Sequence, residues 1–264
     1  MAVLPSAPPA TPTPATPPPT ASPGHTKHPP AQTPTPEPST AATDTPPPTT
    51  SSEPTIPVDP NDPACSDPAY SLEGFAWKKP FQWYFNRDSV PAQFDADAVL
   101  AVIQRGFDNI TMERNDCGRP DTIGASAIYL GEAHLQPCTD RGDDTNVVAF
   151  GPPAPDLSVD TIAYTCPYTF SSTGDVAEAD IVISNEEDWA LSVDDCFDTE
   201  LLEPTITHEV GHAFGLGHVS ERHHADLTMS PQSNGPCDNE ESTLGLGDML
   251  GLEQLYGPAA GGSG

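Results

Sequence analysis

The residues best suited to chemistry lie in one stretch, His208-Glu209-Val210-Gly211-His212-Ala213-Phe214-Gly215-Leu216-Gly217-His218. On a helix, His208 and His212 stand one turn apart and project from the same face, so two imidazoles can meet one metal ion. Gly215 falls where such a helix must end. Glycine there accepts a positive φ, and the chain can turn to bring His218 back to the same point. Three neutral nitrogen ligands with one position open is the arrangement of a catalytic zinc, whereas structural zinc sites close with four protein ligands. Glu209 follows His208 directly and points beside the metal rather than at it, the position of a base acting on metal-activated water. A bare His-Glu-x-x-His also arises on ordinary amphipathic helices. The third histidine, reached through a glycine turn, sets this stretch apart from a row of surface histidines.

These side chains need a scaffold, and the pattern supplies one. Phe81-Gln82-Trp83-Tyr84-Phe85 has strand character. Phe94 to Phe107 reads as a helix that Asp95 can cap, with Val99, Val102, Ile103 and Phe107 on one face. Ala125 to Leu130, Val147 to Phe150, Thr161 to Thr165 and Ala179 to Ser184 are short, bounded by Gly, Pro or Asp, and read as strands. A second helix is predicted from about Leu202 to Phe214, with Pro204 tolerated in its first turn. A third runs from about Asp248 to Tyr256 and is stopped by Gly257-Pro258. Helices among a handful of strands indicate α+β or mixed α/β, and α+β is the class adopted.

Composition divides the chain. Residues 1–63 hold 21 of the 34 prolines and no aromatic residue, so they have little to bury and read as a disordered Pro/Thr-rich linker. An inert, polyproline-II-like tether is favoured over a recognition tail, and its Thr and Ser are candidates for O-linked sugar. Residues 64–258 form the expected folded domain and 259–264 a flexible tail. The 39 acidic against 9 basic residues give a formal charge of −30, which excludes nucleic-acid binding through a basic surface. No apolar run is long enough to span a membrane. Met1-Ala2-Val3-Leu4-Pro5 lacks the basic flank and apolar core of a signal peptide. Six cysteines nevertheless point to an oxidising compartment, so an export signal is expected to have been trimmed or to lie outside this sequence. The alternative is six buried or reactive thiols in a cytosolic protein.

The histidine stretch resembles the metzincin zinc endopeptidases. These also carry a methionine turn beneath the metal, and Asp226-Leu227-Thr228-Met229-Ser230-Pro231 supplies Met229, 11 residues past His218. Met-x-Pro is most similar to the matrixins, the matrix metalloproteinase family, here of a bacterial or archaeal type. Lys78-Lys79-Pro80-Phe81-Gln82-Trp83-Tyr84 resembles the matrixin entry strand. Glu178-Ala179-Asp180-Ile181-Val182-Ile183, followed by Trp189, resembles the strand before the active-site helix, and Leu246 to Gly257 the closing helix. The likeness departs in places. Val219 precedes Ser220 where matrixins usually have serine directly after the third histidine. Tyr164 and Val182 stand at positions where the animal enzymes place histidines for a structural zinc, so none of that type is expected. Ser230 stands where the astacin and serralysin groups have tyrosine. No inhibitory propeptide cysteine is recognisable, and Cys65 is a weak substitute.

The resemblance implies a metzincin-like catalytic domain: a twisted mixed sheet with three helices, and an active-site cleft between a larger N-terminal and a smaller C-terminal part. It implies one catalytic zinc on His208, His212 and His218, Glu209 as general base, and Met229 as an apolar support. The strand near Thr161 to Thr165 would border the cleft and pair with substrate, and residues after Met229, including Pro231, would wall the pocket for the side chain just after the cleaved bond. The expected function is a zinc-dependent endopeptidase that hydrolyses extracellular proteins, secreted or at the cell surface, monomeric, with a polypeptide substrate, no nucleic-acid partner and no membrane span. The alternative is a metzincin scaffold at the cell surface that binds polypeptide without turnover.

Weaker signals complete the inventory. Asp140, Asp143 and Asp144, then Glu186, Glu187 and Asp188, and Asp238, Glu240 and Glu241 form acidic runs that offer hard oxygen ligands for Ca2+, with a solvated acidic surface as the alternative. His223 and His224 read as a solvated loop. His134, His25 and His28 have no partner at metal spacing. Six cysteines allow 15 pairings. The expected set is Cys65 with Cys117, Cys138 with Cys166, and Cys196 with Cys237, the last clamping the segment before the active-site helix to the loop after Met229.

Overall fold

Alternation builds the first wall of the core. On the strand Phe81–Phe85, residues Phe81, Trp83 and Phe85 are buried while Gln82 is exposed, the period-2 pattern of a strand with one face inward. The helix Ala96–Thr111 offers Val99, Val102, Ile103, Phe107 and Ile110 to that face, and Trp83 stacks on Phe107 with ring centroids 4.3 Å apart. The computed structural model describes residues 57–139, 143–154, 157, 160–170 and 175–257. These belong to one compact unit, Glu53–Gly264. Most of the expected linker, the tail 259–264, Asp140, His25 and His28 lie outside the described residues.

In chain order the strands are β1 (Ser71–Leu72), β2 (Phe81–Phe85), β3 (Ala127–Glu132), β4 (Asn146–Gly151), β5 (Ala163–Thr169), β6 (Val176–Ser184), β7 (Trp189–Ala190), β8 (Glu200–Leu201) and β9 (Leu216–Gly217). The helices are α1 (Ala96–Thr111), α2 (Leu202–Ala213), α3 (Glu221–His224) and α4 (Leu246–Tyr256). Five strands form a mixed sheet in the order β3-β2-β4-β6-β5, parallel except for β5, which runs antiparallel to β6 at one edge. Strand β4 is buried at every position, as befits a central strand covered on both faces. The α+β class and the mixed sheet agree with the sequence reading.

The differences have local causes. Helix α1 continues past Phe107 to Thr111 because Ile110 is buried and the Asn109 amide donates to Thr207 Oγ1 (3.0 Å) and the Ser242 carbonyl (2.8 Å). Asp95 caps α1 as expected, accepting from the Asp97 and Ala98 amides. The sequence implied three helices; α3 is an additional single turn. It replaces the solvated loop expected at His223 and His224, and His224 Nδ1 lies 2.8 Å from Asp67 Oδ2. Helix α4 starts at Leu246, two residues early, because the Asp248 carboxylate accepts the Gly245 amide at 3.0 Å.

Three disulfides join Cys65 to Cys117, Cys138 to Cys166, and Cys196 to Cys237, the set expected from sequence. Each closes a loop of some tens of residues, worth about 3–4 kcal/mol in the chain-entropy account. Cys138–Cys166 ties the edge strand β5 to the segment after β3. Cys196–Cys237 fastens the loop beyond Met229 to the approach to α2, beside a bond from the Cys237 amide to the Thr199 carbonyl (3.0 Å).

Candidate active site

Helix α2 fixes two of the three imidazoles, and its C-terminal end is held from outside. The Trp77 indole donates to the Ala213 carbonyl (2.7 Å) and the Tyr256 hydroxyl to the Phe214 carbonyl (2.7 Å), satisfying acceptors that a helix end leaves open. The chain then turns at Gly215 with φ +94°, where a Cβ would lie 2.4 Å from the Phe75 carbonyl oxygen. No other residue fits both the angle and the approach. This turn returns His218 to the helix face.

The three rings converge. His208 Nε2 lies 3.1 Å and His212 Nε2 2.9 Å from His218 Nε2. His208 Nδ1 is 2.7 Å from the Thr228 carbonyl, and His212 Nδ1 is 2.9 Å from the Leu216 carbonyl. A carbonyl can only accept, so both rings carry their proton on Nδ1 and turn the Nε2 lone pair inward. Burial, with the neighbouring imidazoles, holds His208 well below the ordinary histidine range and His212 at about 4, and burial lowers His218 as well. The inward Nε2 lone pairs of His208 and His212, each about 3 Å from His218 Nε2, form a three-nitrogen donor set that suits a shared cation. A tetrahedral zinc with bonds of about 2.0–2.1 Å would set its nitrogen ligands roughly 3.4 Å apart, so the donor set fits with a small outward adjustment. The carbonyl contacts to Nδ1 are the outer partners that orient metal-binding imidazoles.

Glu209 is buried, 5% exposed. Burial raises its carboxyl to about 7, opposed by a hydrogen bond from Thr165. That hydroxyl, on β5, donates to Glu209 Oε2 at 2.6 Å and also lies 2.9 Å from the Glu209 carbonyl oxygen. Sequence reasoning missed Thr165: it treated this strand as a substrate edge alone, and nothing local marks one strand threonine as the partner of a residue 44 positions later.

Met229 is buried beneath the histidines. A Cβ on Gly211 would sit 2.4 Å from its sulfur, so the glycine between His208 and His212 is what lets the thioether reach the helix. The Met229 carbonyl accepts the Val219 amide (3.0 Å), next to His218. Asp248 was read only as a first-turn residue of the last helix. It also accepts the amides of Thr228 (3.1 Å) and Met229 (3.3 Å), pinning the turn whose Thr228 carbonyl orients His208. Burial raises its carboxyl to about 6.

The site opens into a cleft of about 840 Å³, lined by β5 from Ala163 to Thr165 on one side and by Ser230 to Asn234 on another. Strand β5 pairs only with β6 among the described residues, so its other edge faces the cleft. Tyr164 and Val182 lie opposite each other across the β5–β6 ladder. Among the described residues the acidic runs considered for calcium do not bring three carboxylates together.

Residues 159–257 match the family model described as matrixin, from just before β5 to the end of α4. Over 81 residues the chain is 38% identical to the human protein matrix metalloproteinase-25, an alignment covering 30% of this chain and 14% of that relative. The family-model match over 159–257 contains the three histidines, Glu209 and Met229, and it marks this part of the chain as matrixin-like metalloprotease.

Proposed function

We propose that the protein is a zinc-dependent endopeptidase that cleaves extracellular polypeptides. The observation carrying this reading is a buried carboxyl beside three converging imidazole nitrogens, at the floor of a cleft bordered by strand β5. His208, His212 and His218 would hold the ion. Bound there, zinc supplies Lewis acidity, which polarises a carbonyl and brings the pKa of water to about 7. The chain's own residues do the remainder. Glu209 takes a proton from the attacking water and passes it to the leaving amine, so that OH is added to the carbonyl carbon and H to the nitrogen. Burial, which raises this carboxyl, favours the return of the proton as well as its uptake. Thr165 fixes its orientation. The outer edge of β5 binds the substrate main chain as an added strand, which gives affinity with little sequence demand. Met229 supports the imidazoles by packing and ligates nothing.

The peptidase domain is read as residues 64–258 behind a Pro/Thr-rich tether, secreted or at the cell surface, as three disulfides favour. Tyr164 and Val182, in place of structural-zinc histidines, favour a bacterial or archaeal branch. The test is cleavage of casein and of a quenched peptide by the zinc-loaded protein, with and without a chelator, beside Glu209→Gln. Chelator-sensitive cleavage is expected, with a loss of about 10²–10⁴-fold in the variant at unchanged zinc content. Peptide binding without cleavage in the wild type would instead favour the non-catalytic scaffold.

A further inference from the structure

The pocket beyond the histidines is walled by Pro231, Gln232, Ser233 and Asn234 and reaches Glu241. Glu241 is 8% exposed, and its Oε1 has no hydrogen-bond partner among the described residues. Such an atom is costly to bury unless something arrives to pair with it. Its surroundings sharpen the point. Asp238, Glu221 and Asp248 are the charged groups that act on it, all of the same sign. Among the described residues, the cleft lining includes Glu73, Asp160, Glu200 and Asp238 as well, and no lysine or arginine. The pocket is also rigid. The Ser242 carbonyl, next in the chain, accepts from Asn109 and Thr207, Ser233 Oγ donates to Glu200 Oε2 (2.7 Å), and Cys196–Cys237 closes the wall.

Resting on the peptidase reading above, we infer that Glu241 ends the pocket for the residue just after the scissile bond and selects lysine or arginine there. Leu201, Pro204 and Pro231 line the approach and suit the apolar stem of such a side chain, which carries its charge at the far end. A cation drawn to Glu241 satisfies the open oxygen and holds the carboxyl ionised. A leucine would leave both costs in place. Empty, the carboxyl is pushed by burial and by the neighbouring acids to about 8.

The experiment is a peptide series differing only at the position after the cleaved bond (Lys, Arg, Gln, Leu, Glu), digested by the zinc-loaded full chain and by Glu241→Gln and Glu241→Leu. The wild type is expected to favour Lys and Arg over Leu by about tenfold or more in kcat/KM, with Glu the poorest. Glu241→Gln, which keeps the shape, should reduce the Lys/Leu ratio by about the same factor, and Glu241→Leu should invert it. A wild type that prefers Leu, or a ratio the variants leave unmoved, overturns the assignment while the peptidase reading stands. Calorimetric calcium binding that is lost in Glu241→Gln with no change in residue preference also overturns it, making the pocket a metal site. No chelator-sensitive cleavage of any peptide removes both.

Discussion

Two regions of one cleft lack positive charge, and they differ in what could supply it. At the floor, burial disfavours the charged form of three imidazoles, and the Nε2 atoms of His208 and His212 each lie about 3 Å from that of His218. At the far wall, Glu241 and the carboxylates around it are spread over several elements, and only one oxygen is left open. A point of convergence suits a small ion that stays with the protein. A deep pocket with one unsatisfied acceptor and an apolar approach suits a charge that arrives on a side chain and leaves with the product. The first region would provide reactivity and the second selectivity.

The largest effect is expected at the floor. His212→Ala removes one converging nitrogen, and zinc content measured after dialysis should fall well below one per chain, with peptidase activity at the level of the chelated protein. Full zinc retention would mean that the rings do not act as a set. Met229→Ala should be the next largest effect. It opens a cavity beneath the rings next to Gly211 and should cost about 2–5 kcal/mol in denaturant unfolding. An unchanged midpoint would deny Met229 its supporting role.

Thr165→Val tests how the floor is joined to the strand edge. Without the 2.6 Å hydrogen bond the Glu209 carboxyl should rise further above its ordinary range. The acid limb of the kcat/KM profile should then move to higher pH, with activity at pH 7 about tenfold lower. A uniform loss at every pH would point to disturbed strand packing instead.

The smallest effect concerns the wall and is read as stability of the metal-free protein. Glu241 rises from 4.5 to about 8 on folding. The native state therefore holds this proton more tightly, and the stability it contributes is present below about pH 4.5 and lost as pH rises through about 8. The depressed histidines act in the opposite sense, but only below their unfolded value of 6.5. Between pH 6.5 and 8 the melting temperature should thus fall, with Glu209 contributing to the same slope, and Glu241→Gln should flatten it. An equal slope in the variant would count against the desolvated state of Glu241.

Some features of this molecule are set within a few residues of themselves. The four-residue step from His208 to His212 places two rings on one helix face, and the glycine at 215 permits the turn that brings back a third, so the convergence needs only backbone geometry. The cap at Asp95 and the alternation of Phe81, Trp83 and Phe85 are equally local. The two-residue strands β1, β7, β8 and β9 are too short to show a period, and packing alone defines them. The same holds for the partners. Thr165 meets Glu209 across 44 positions, Asp248 reaches back to the turn at Thr228 and Met229, and Glu241 comes to the cleft through a 3-10 turn held against α1 by Asn109 and against α2 by Thr207. Sequence pattern records whether a residue is buried or which face it shares. Which polar atom it meets, or fails to meet, depends on how distant elements dock, and only the tertiary structure decides that.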